Sequence, residues 1–528
     1  MNSEQYNLFL GLARYNYFPN QKSNIGELPP IINTRTFTPE VALKVAEGKP
    51  RGDGYDAVVY LSTRFNNAPR ELSLVHPKAY SSLVTHIVKH WDKIKVIQNN
   101  SNSIIKPEQH QDGRILVMNY EDPIEKSRRM LMNGFGKRFL VKADISNCFN
   151  SIYSHAISWG LVSISVAKAA KMKHNEWFNE FDRYQRYCKR NETQGVPIGP
   201  GTSNIALESI LHRVDSVLRD KGFDFSRYVD DYECYCKDDS QAQLFINVLR
   251  DELYRYKFSL NSHKTKIIPL PSPNGEEWIM ELMASLPRRL SNAIEGEPEL
   301  STHESMNFIN RAIKINNDYP DGSVLKYALS TIMPFISNSA AYDLYVQTLT
   351  LAWHYPVLIP YLEPLISKSG LGFPLVENGL NALIIENCRL KRSDGISWPL
   401  YIIKNLGGYP SDDAIKSIIE TRDCVSMALL YDLKKDATHI MPFVNDVMRS
   451  DDNFLKDSQW FLLYQLFRDG VIENPYDDDT FNILRDNDVN FIISNEEPRT
   501  KAEEESERQR MKSIFKMFQL LNRPADGV

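Results

Sequence analysis

Two adjacent aspartates, Asp230 and Asp231, stand in a run of β-branched and aromatic residues over 225–235. Valine, tyrosine and phenylalanine favour strands, and aspartate tolerates the backbone angles of a two-residue loop. The run therefore predicts a tight hairpin with both acids at its tip. Because neighbouring like charges repel, each carboxylate needs solvent or a cation. The pair is either a solvated turn or a divalent-metal site.

A third acid, Asp144, follows the apolar run 140–143, which predicts a buried strand. Open α/β sheets place ligands at the carboxyl ends of their strands. Phe149 lies five residues further on, where it either folds beneath a bound sugar or fills the junction between the strand and a following helix. Three carboxylates make an all-oxygen ligand set, which suits Mg²⁺ or Mn²⁺ rather than zinc.

The segments around these acids alternate between strands and helices. In chain order we predict a strand ending at Asp144, a Gly- and Pro-rich loop over 194–204, a helix over 205–219, the hairpin over 225–235, a helix over 240–256 and a strand with an internal turn over 258–268. This order is the βαββαβ pattern of a ferredoxin-like palm. It brings Asp144 on the first strand beside Asp230 and Asp231 on the central hairpin.

Ahead of this pattern, residues 55–64 and 69–77 read as two strands of a β-ribbon. Arg70 on the second strand is either a bidentate clamp for a triphosphate or an ordinary surface arginine. The net charge of −5 provides no overall cationic field, so nucleic-acid binding must depend on local basic surface. The candidates for that surface are Arg64, Arg70, Lys78, Lys126, Arg128, Arg129, Lys137, Arg138 and Lys142.

Length and composition describe an ordinary globular chain. Its 528 residues exceed a single core and predict roughly three domains. The six cysteines lack the spacing of a zinc site or a disulfide framework, which indicates a reduced, cytoplasmic protein. No signal-peptide pattern opens the chain and no apolar run approaches the ~18 residues that span a bilayer, so we expect no membrane partner.

From about residue 281 to residue 522, apolar residues recur at helical spacing between short Pro, Gly and Asp breaks. No strict repeat period is visible, which predicts an irregular helical array that at minimum buries the back of the palm. The predicted helical segments are Leu325–Ile336, Ala341–Trp353, Leu380–Leu390, Ala414–Arg422, Trp460–Phe467 and Ser513–Leu521. Residues 496–510 predict a solvated, charged helix or tail.

Over roughly residues 50–270 the chain resembles the reverse transcriptases. The palm motifs that carry the resemblance are Asp144 with Phe149, the loop Gln194-Gly195-Val196-Pro197, Tyr228-Val229-Asp230-Asp231, and Leu260-Asn261 with Lys264-Thr265. The resemblance implies that Asp144, Asp230 and Asp231 are catalytic and hold two Mg²⁺ ions, which Mn²⁺ can replace. It also implies that the Ile145 carbonyl is a further metal ligand.

The same resemblance implies four nucleotide-binding residues. Phe149 would act as a gate against a 2′-hydroxyl and so favour dNTPs, and Gln194 would line the nucleotide pocket. Arg70 would hold the phosphates, and Lys264 would lie near the leaving pyrophosphate. Lys266 is close enough in sequence to take the place of Lys264.

A palm followed directly by helices resembles, in architecture alone, the abortive-infection reverse transcriptases of bacterial phage defence. Members of that family end in a helical (HEAT-like) domain, form homo-oligomers, here expected to be trimers or hexamers, and in some cases make untemplated DNA from a protein hydroxyl. The implied organisation is α+β: fingers and palm over 1–275, an all-α HEAT-like domain over 276–495 and a charged helical tail over 496–528.

Three functions remain open. The first is a defence-associated DNA polymerase that uses dNTPs, is primed by the protein and leaves its DNA product covalently attached, without a template. The second is a templated polymerase that copies a dedicated RNA; the acidic helical C-terminal region argues against it. The third is a non-catalytic palm scaffold, against which the three intact acids argue. We expect an RNA-directed DNA polymerase, a nucleotidyltransferase of antiviral defence.

Overall fold

The computed structural model describes residues 1–19, 25–110, 112–117, 123–273, 276–287, 290, 299–320 and 322–493. The strands are β1 (Ala57–Thr63), β2 (Pro69–Val75), β3 (Phe139–Asp144), β4 (Asp224–Tyr228), β5 (Asp231–Cys236) and β6 (Lys266–Pro269). The predicted tail over 496–528 and the predicted helix over 513–521 lie outside the described residues.

Helices make up most of the remaining described chain. Up to the end of the palm they are α1 (Ser3–Arg14), α2 (Pro39–Ala46), α3 (Pro77–Lys89), α4 (Trp91–Ile94), α5 (Pro123–Gly134), α6 (Cys148–Ser151), α7 (His155–Val162), α8 (Ile164–Ala169), α9 (Trp177–Tyr187), α10 (Gly201–Asp220) and α11 (Asp239–Arg255). Those that follow are α12 (Glu277–Ala284), α13 (Thr302–Asp318), α14 (Val324–Ile332), α15 (Asn338–His354), α16 (Leu362–Ser369), α17 (Phe373–Arg389), α18 (Ser393–Asn405), α19 (Asp412–Thr421), α20 (Cys424–Lys434), α21 (Met441–Arg449), α22 (Asn453–Asp457), α23 (Trp460–Arg468) and α24 (Thr480–Asp486). Short 3₁₀ helices span Lys95–Asn99, Met333–Phe335 and Pro356–Tyr361.

The palm is a four-stranded antiparallel sheet in the order β4-β5-β3-β6. Helix α10 lies between β3 and β4 in the chain, and α11 between β5 and β6, so the predicted βαββαβ order is present. The first palm strand, β3, is therefore central and pairs with both β5 and β6. Segments that are distant in sequence therefore lie side by side at the end of β3.

Burial explains why α11 holds this sheet. Its apolar residues Phe245 and Leu249 are fully buried, and it packs against β3 and β5. The Phe245 ring lies 6.2 Å from the ring of Phe225 on β4 and 5.2 Å from that of Phe223. Burying one such phenylalanine contributes about 1.5–3 kcal/mol. Helix α11 and the palm sheet thus share one layer of buried apolar side chains.

The two predicted N-terminal strands form a separate antiparallel ribbon, β1 with β2. The helical region packs directly on this ribbon. Asp394 of α18 accepts hydrogen bonds from the backbone N–H (2.7 Å) and hydroxyl (2.9 Å) of Thr63, and the indole of Trp460 donates to the Leu74 carbonyl (2.9 Å). The ribbon that carries Arg70 is therefore braced by the C-terminal helices.

The predicted C-terminal helices within the described residues are found at α14, α15, α17, α19 and α23. The end of this region returns to the N-terminus: Ile32 pairs with Ile492, and the Asn33 N–H donates to the Phe491 carbonyl at 3.2 Å. Packing thus continues across the predicted boundary at residue 275. Among the described helices, none combines the length and apolarity that a membrane crossing requires.

The palm hairpin is present as predicted, but only one of its two acids lies in the loop. The loop of the palm hairpin consists of Val229 and Asp230, whereas Asp231 already begins β5 and pairs with Tyr228. The strand with an internal turn predicted over 258–268 is confirmed: Leu260 forms a bridge with Ile145, and β6 begins at Lys266. The turn lies between them, because the Lys264 and Thr265 N–H groups both donate to the Asn261 carbonyl.

Candidate active site

Strand register brings the three acids together. Asp144, the last residue of β3, is the direct partner of Asp231 in the β3–β5 ladder. The Ile145 N–H, one residue past β3, donates to the Asp230 carbonyl at 3.2 Å. Asp144 is buried, Asp230 is half-buried and Asp231 is exposed. The three carboxylates therefore share one end of the palm sheet, although Asp144 is far from the others in sequence.

The turn that presents Asp230 has an unusual backbone. Val229 adopts φ +56°, in the left-handed region that β-branched residues rarely occupy. Such a conformation costs on the order of 1–3 kcal/mol and persists only where the surroundings impose it. Arg227 supplies one such constraint, because its Nη1 donates to the Val229 carbonyl at 2.7 Å. The sequence favoured aspartates for these angles, yet the valine adopts them.

Arg227 is itself fully buried in an ionic network beneath the turn. Its guanidinium donates to both carboxylate oxygens of Glu208 (2.7 and 2.8 Å) and to Asp215 (2.9 Å). Asp215 also accepts from the Tyr232 hydroxyl at 2.9 Å and from the Asn100 side chain at 2.6 Å. With its partners present, a buried charge of this kind is rigid and specific in geometry.

Sequence reasoning missed this network. A signal was available, because Glu208 and Asp215 stand seven residues apart on α10, on the buried face of an otherwise apolar helix. Carboxylates are almost never fully buried without a partner. Two acids on one apolar face therefore point to a buried cation, and Arg227 in the motif strand was the available one.

The electrostatics of the three acids reflect their crowding. Although the Asp231 residue as a whole is exposed, its carboxylate lies among protein atoms that limit its hydration. This desolvation and the charges of Asp230 and Asp144 raise its pKa to about 7. The pKa of Asp230 is also raised, first by burial and then by Asp144, while the positive charges of Lys264 and Arg70 partly offset the rise. The site thus carries more negative charge than its own cations neutralise.

The loop after α11 holds Asp144 in place. The Asn261 side chain donates to one Asp144 carboxylate oxygen (3.1 Å), and the Lys264 ammonium donates to the other (2.8 Å). The Asn261 N–H also donates to the Asp144 carbonyl at 2.8 Å. The hydrogen bond to Asp144 raises the pKa of Lys264. Lys264 therefore contacts an acid of the site directly, whereas Lys266 opens β6 opposite Lys142.

Phe149 and Gln194 are also brought together. Phe149 lies in α6, is half-buried against the core, and its carbonyl accepts from the Val196 N–H at 3.1 Å. The Gln194 amide donates to the Asn150 carbonyl at 3.1 Å. Gly195, between Gln194 and Val196 in the chain, has φ +79°, a backbone conformation in which a side chain would be strained. The Gly- and Pro-rich loop thus folds onto the short helix that follows Asp144.

The predicted basic residues differ in whether their side chains can reach a nucleotide or nucleic acid. Arg70 on β2 is about one-third exposed, lies 3.8 Å from Glu27, and is near enough to Asp230 to affect its pKa. Lys78 was expected on a nucleic-acid surface, but it is buried and its ammonium donates to the Val45 (2.8 Å) and Glu47 carbonyls. Burial lowers the pKa of Lys78. That prediction was wrong because the lysine anchors α3 to the end of α2.

The donor set of the site fits a hard divalent cation. It offers three carboxylates, and a bound cation would relieve both the desolvation and the mutual repulsion that raise the pKa of Asp230 and Asp231. Lys264 neutralises only part of this charge. The residues present therefore suit Mg²⁺ or Mn²⁺ better than zinc.

Comparison with protein-family models finds a match over the part of the chain that contains this site. Residues 72–293 match the family model described as reverse transcriptase (RNA-dependent DNA polymerase). The matched range contains every candidate site residue except Arg70, which lies two residues before it. No curated protein matches the sequence.

Solved structures that align with this chain include two Candida telomerases. Telomerase from Candida albicans, in complex with the TWJ fragment of telomeric RNA, aligns at 12% identity with a TM-score of 0.28, covering 66% of this chain and 63% of that one. Apo telomerase from Candida tropicalis aligns at 11% identity with a TM-score of 0.30, covering 67% and 70%. The chain spans less than two thirds of the Candida albicans telomerase chain that it aligns with. The likeness that bears on function is the sequence match of residues 72–293 to the reverse transcriptase model.

Proposed function

We propose that Asp144, Asp230 and Asp231 are the catalytic acids of a DNA polymerase that adds dNTPs to a growing DNA chain. The observation that carries the proposal is the register of β3 and β5, which sets Asp144 opposite Asp231 with Asp230 beside them. These acids, with the Ile145 carbonyl, would hold two Mg²⁺ ions, or Mn²⁺ in their place. Bound there, the ions would stabilise the attacking and leaving oxygens of an in-line displacement at phosphorus.

The surrounding residues would position the nucleotide. Phe149, on the short helix after Asp144, would exclude a 2′-hydroxyl, and Gln194 would line the nucleotide pocket. Arg70, whose charge reaches Asp230, would hold the phosphates. Lys264 would move from Asp144 toward the leaving pyrophosphate and neutralise or protonate it. The support differs among the four: Lys264 donates to Asp144, and the charge of Arg70 acts on Asp230. Phe149 lies on the short helix after Asp144, and the loop of Gln194 folds onto that helix.

We further propose a role in antiphage defence by abortive infection, with the protein as primer and no template. The support is architectural: a helical region follows the palm and braces the β1–β2 ribbon through Asp394 and Trp460. In this proposal the chain comprises fingers and palm over 1–275, a HEAT-like domain over 276–495 and a charged tail over 496–528. It would assemble as a trimer or hexamer in the cytoplasm, in keeping with six buried free thiols.

A templated polymerase that copies an RNA is the second candidate. The observation that favours it is the family match itself, since the family is described as RNA-dependent. The two candidates share the same acids and differ in what supplies the primer hydroxyl and the base sequence. One experiment can therefore separate them.

The test supplies purified full-length chain with Mg²⁺ and labelled dNTPs, with no nucleic acid, and resolves the product on a denaturing gel with and without protease. Labelled DNA that migrates freely only after proteolysis would support a protein primer. Product that requires an added RNA template and DNA primer would instead support the templated enzyme.

Variants test the acids in either case. The double variant Asp230→Asn with Asp231→Asn should lose incorporation by at least about 10³-fold, because the acids provide the charge that holds the metal ions. Asp251→Asn, an exposed acid on α11, is the matched control and should retain activity. A folded double variant that still incorporates dNTPs would refute the assignment of these acids.

The defence proposal needs a cellular readout. Bacteria that express the wild-type chain should show fewer phage plaques than bacteria that express the Asp230→Asn, Asp231→Asn variant at equal protein levels. Equal plaque numbers across a broad phage panel would refute the defence role. The gel assay would still test the polymerase proposal separately.

A further inference from the structure

A second group of metal-type ligands lies away from the three acids, where α3 meets α9. His86 is on α3, His90 directly follows its last residue, and Glu180 is on α9. One ligand atom from each lies within 4.8 Å of the other two. His86 is 5% exposed, and the other two residues are half-buried. None of the three has a part in the polymerase chemistry proposed above.

The hydrogen bond of His86 fixes which of its nitrogens is available. Its Nε2 lies 2.8 Å from the Trp177 carbonyl oxygen, and because a carbonyl can only accept, Nε2 carries the proton. Nδ1 therefore presents a lone pair, which faces the Glu180 Oε2 at 3.8 Å. This distance is too long for a hydrogen bond. Metal-bound histidines commonly donate their other ring N–H to a backbone carbonyl in this way.

The distances and donor types agree with a tetrahedral ion. Ligand atoms held about 2.0–2.1 Å from zinc lie roughly 3.3–3.5 Å from one another, so a small movement of the half-buried Glu180 and His90 side chains closes the site. Arg183 occupies the other Glu180 oxygen, Oε1, at 3.1 Å, which leaves Oε2 toward His86.

The site has cationic neighbours as well as ligands. Lys93 and Lys89 act on His90, and the Lys93 ammonium lies 5.2 Å from the Trp177 ring centroid. The positive charges of these lysines disfavour a metal cation at this position, whereas the Glu180 carboxylate favours one. Binding therefore depends on all three ligands acting together, and loss of one should weaken it strongly.

We propose that His86, His90 and Glu180 bind one Zn²⁺ ion that joins α3 to α9, with water completing the tetrahedron. Two imidazoles and one carboxylate form a zinc-type donor set, in contrast to the all-oxygen set of the three aspartates. Helix α3 follows the strand that carries Arg70, and α9 precedes the loop that carries Gln194. The ion would thus fix the spacing of two elements that flank the polymerase site.

The test uses the full chain, stripped with a chelator, returned to excess Mg²⁺ so that the aspartates are occupied, and then titrated with Zn²⁺. Metal content after gel filtration should be one zinc per wild-type chain. His90→Ala and Glu180→Gln should each lower the zinc affinity at least tenfold, and zinc should raise the Tm of the wild type alone. Co²⁺ in place of Zn²⁺ should give the visible absorption of a tetrahedral site in the wild type only.

Two controls separate this site from other causes. His439→Ala removes an exposed histidine of the helical region, and Asp230→Asn with Asp231→Asn removes acids of the proposed polymerase site; both variants should still bind one zinc. Wild-type protein that binds no more zinc than the His90→Ala and Glu180→Gln variants would overturn the proposal. Zinc that is lost with the aspartates instead would also overturn it, because the ion would then be occupying the palm.

Discussion

The guanidinium of Arg227 donates a 2.7 Å hydrogen bond to the carbonyl oxygen of Val229, the left-handed residue immediately before Asp230. The same guanidinium is held by Glu208 and Asp215 on α10. The position of a proposed catalytic acid is thus linked to a buried ion pair on the helix behind it. This relationship makes Arg227 a positioning residue that does not itself contact substrate.

Arg227→Lys tests this link. Lysine keeps the charge but cannot pair bidentately with Glu208 while also bonding the Val229 carbonyl, so stability should fall by about 1–3 kcal/mol. A turn misplaced by about 1 Å should lower kcat on the order of 10²-fold, with the KM for dNTP little changed. Arg219→Lys, an exposed arginine on α10, is the control. A lower Tm with normal kcat would reduce Arg227 to a purely structural role.

Phe149→Val tests the proposed gate. Because the smaller side chain opens space where a 2′-hydroxyl would lie, incorporation of rNTPs relative to dNTPs should rise at least about tenfold. The measurement is kcat/KM for each nucleotide. Phe149→Leu, which retains more of the volume, should give a smaller change. If neither variant alters the ratio, Phe149 is a core residue that fills the junction after β3.

Lys264→Met and Lys266→Met distinguish the two candidate lysines. Of these two lysines, Lys264 is the one that donates to Asp144. Its removal should lower the Mg²⁺ concentration needed for half-maximal activity, because the lysine ammonium no longer competes with the metal ion for the carboxylate. It should also lower kcat by about 10–10²-fold if the ammonium assists the leaving group. Lys266→Met should leave both quantities near wild type. The reverse pattern would assign the role to Lys266.

Asp394 predicts a pH dependence of stability. Burial raises its pKa in the folded chain to about 6, above the ordinary value of 3.8, so the folded state binds the proton more tightly. Protonation of Asp394 therefore contributes up to about 3 kcal/mol to the free energy of unfolding. This contribution is fully present below pH about 4 and is lost as pH rises through about 6. Thermal unfolding of wild type and Asp394→Asn across this range measures it. The variant, which is neutral at every pH as the protonated acid is, should show a flatter profile; parallel profiles would contradict the assignment.

Local patterns determined much of the palm. Strand propensity and helical spacing predicted β3, the β4–β5 hairpin, α10 and α11, and their order implied that Asp144 would meet Asp230 and Asp231. These features follow from sequence because each depends on periodicity within a short segment and on a familiar order of elements. The same holds for the C-terminal helices and for the two strands of the ribbon.

Only the tertiary structure decided which distant side chains meet. Val229 takes the left-handed turn because Arg227, buried by α10, holds its carbonyl. Thr63 bonds Asp394 across a separation of 331 residues, and His86 is fixed by a carbonyl of a different helix. No local pattern encodes such contacts, because the free energy of a buried hydrogen bond or ion pair exists only after packing has removed water from both partners. The sequence alone therefore determined the elements and the acids, and packing decided how the turn, the ribbon and the histidine cluster are held.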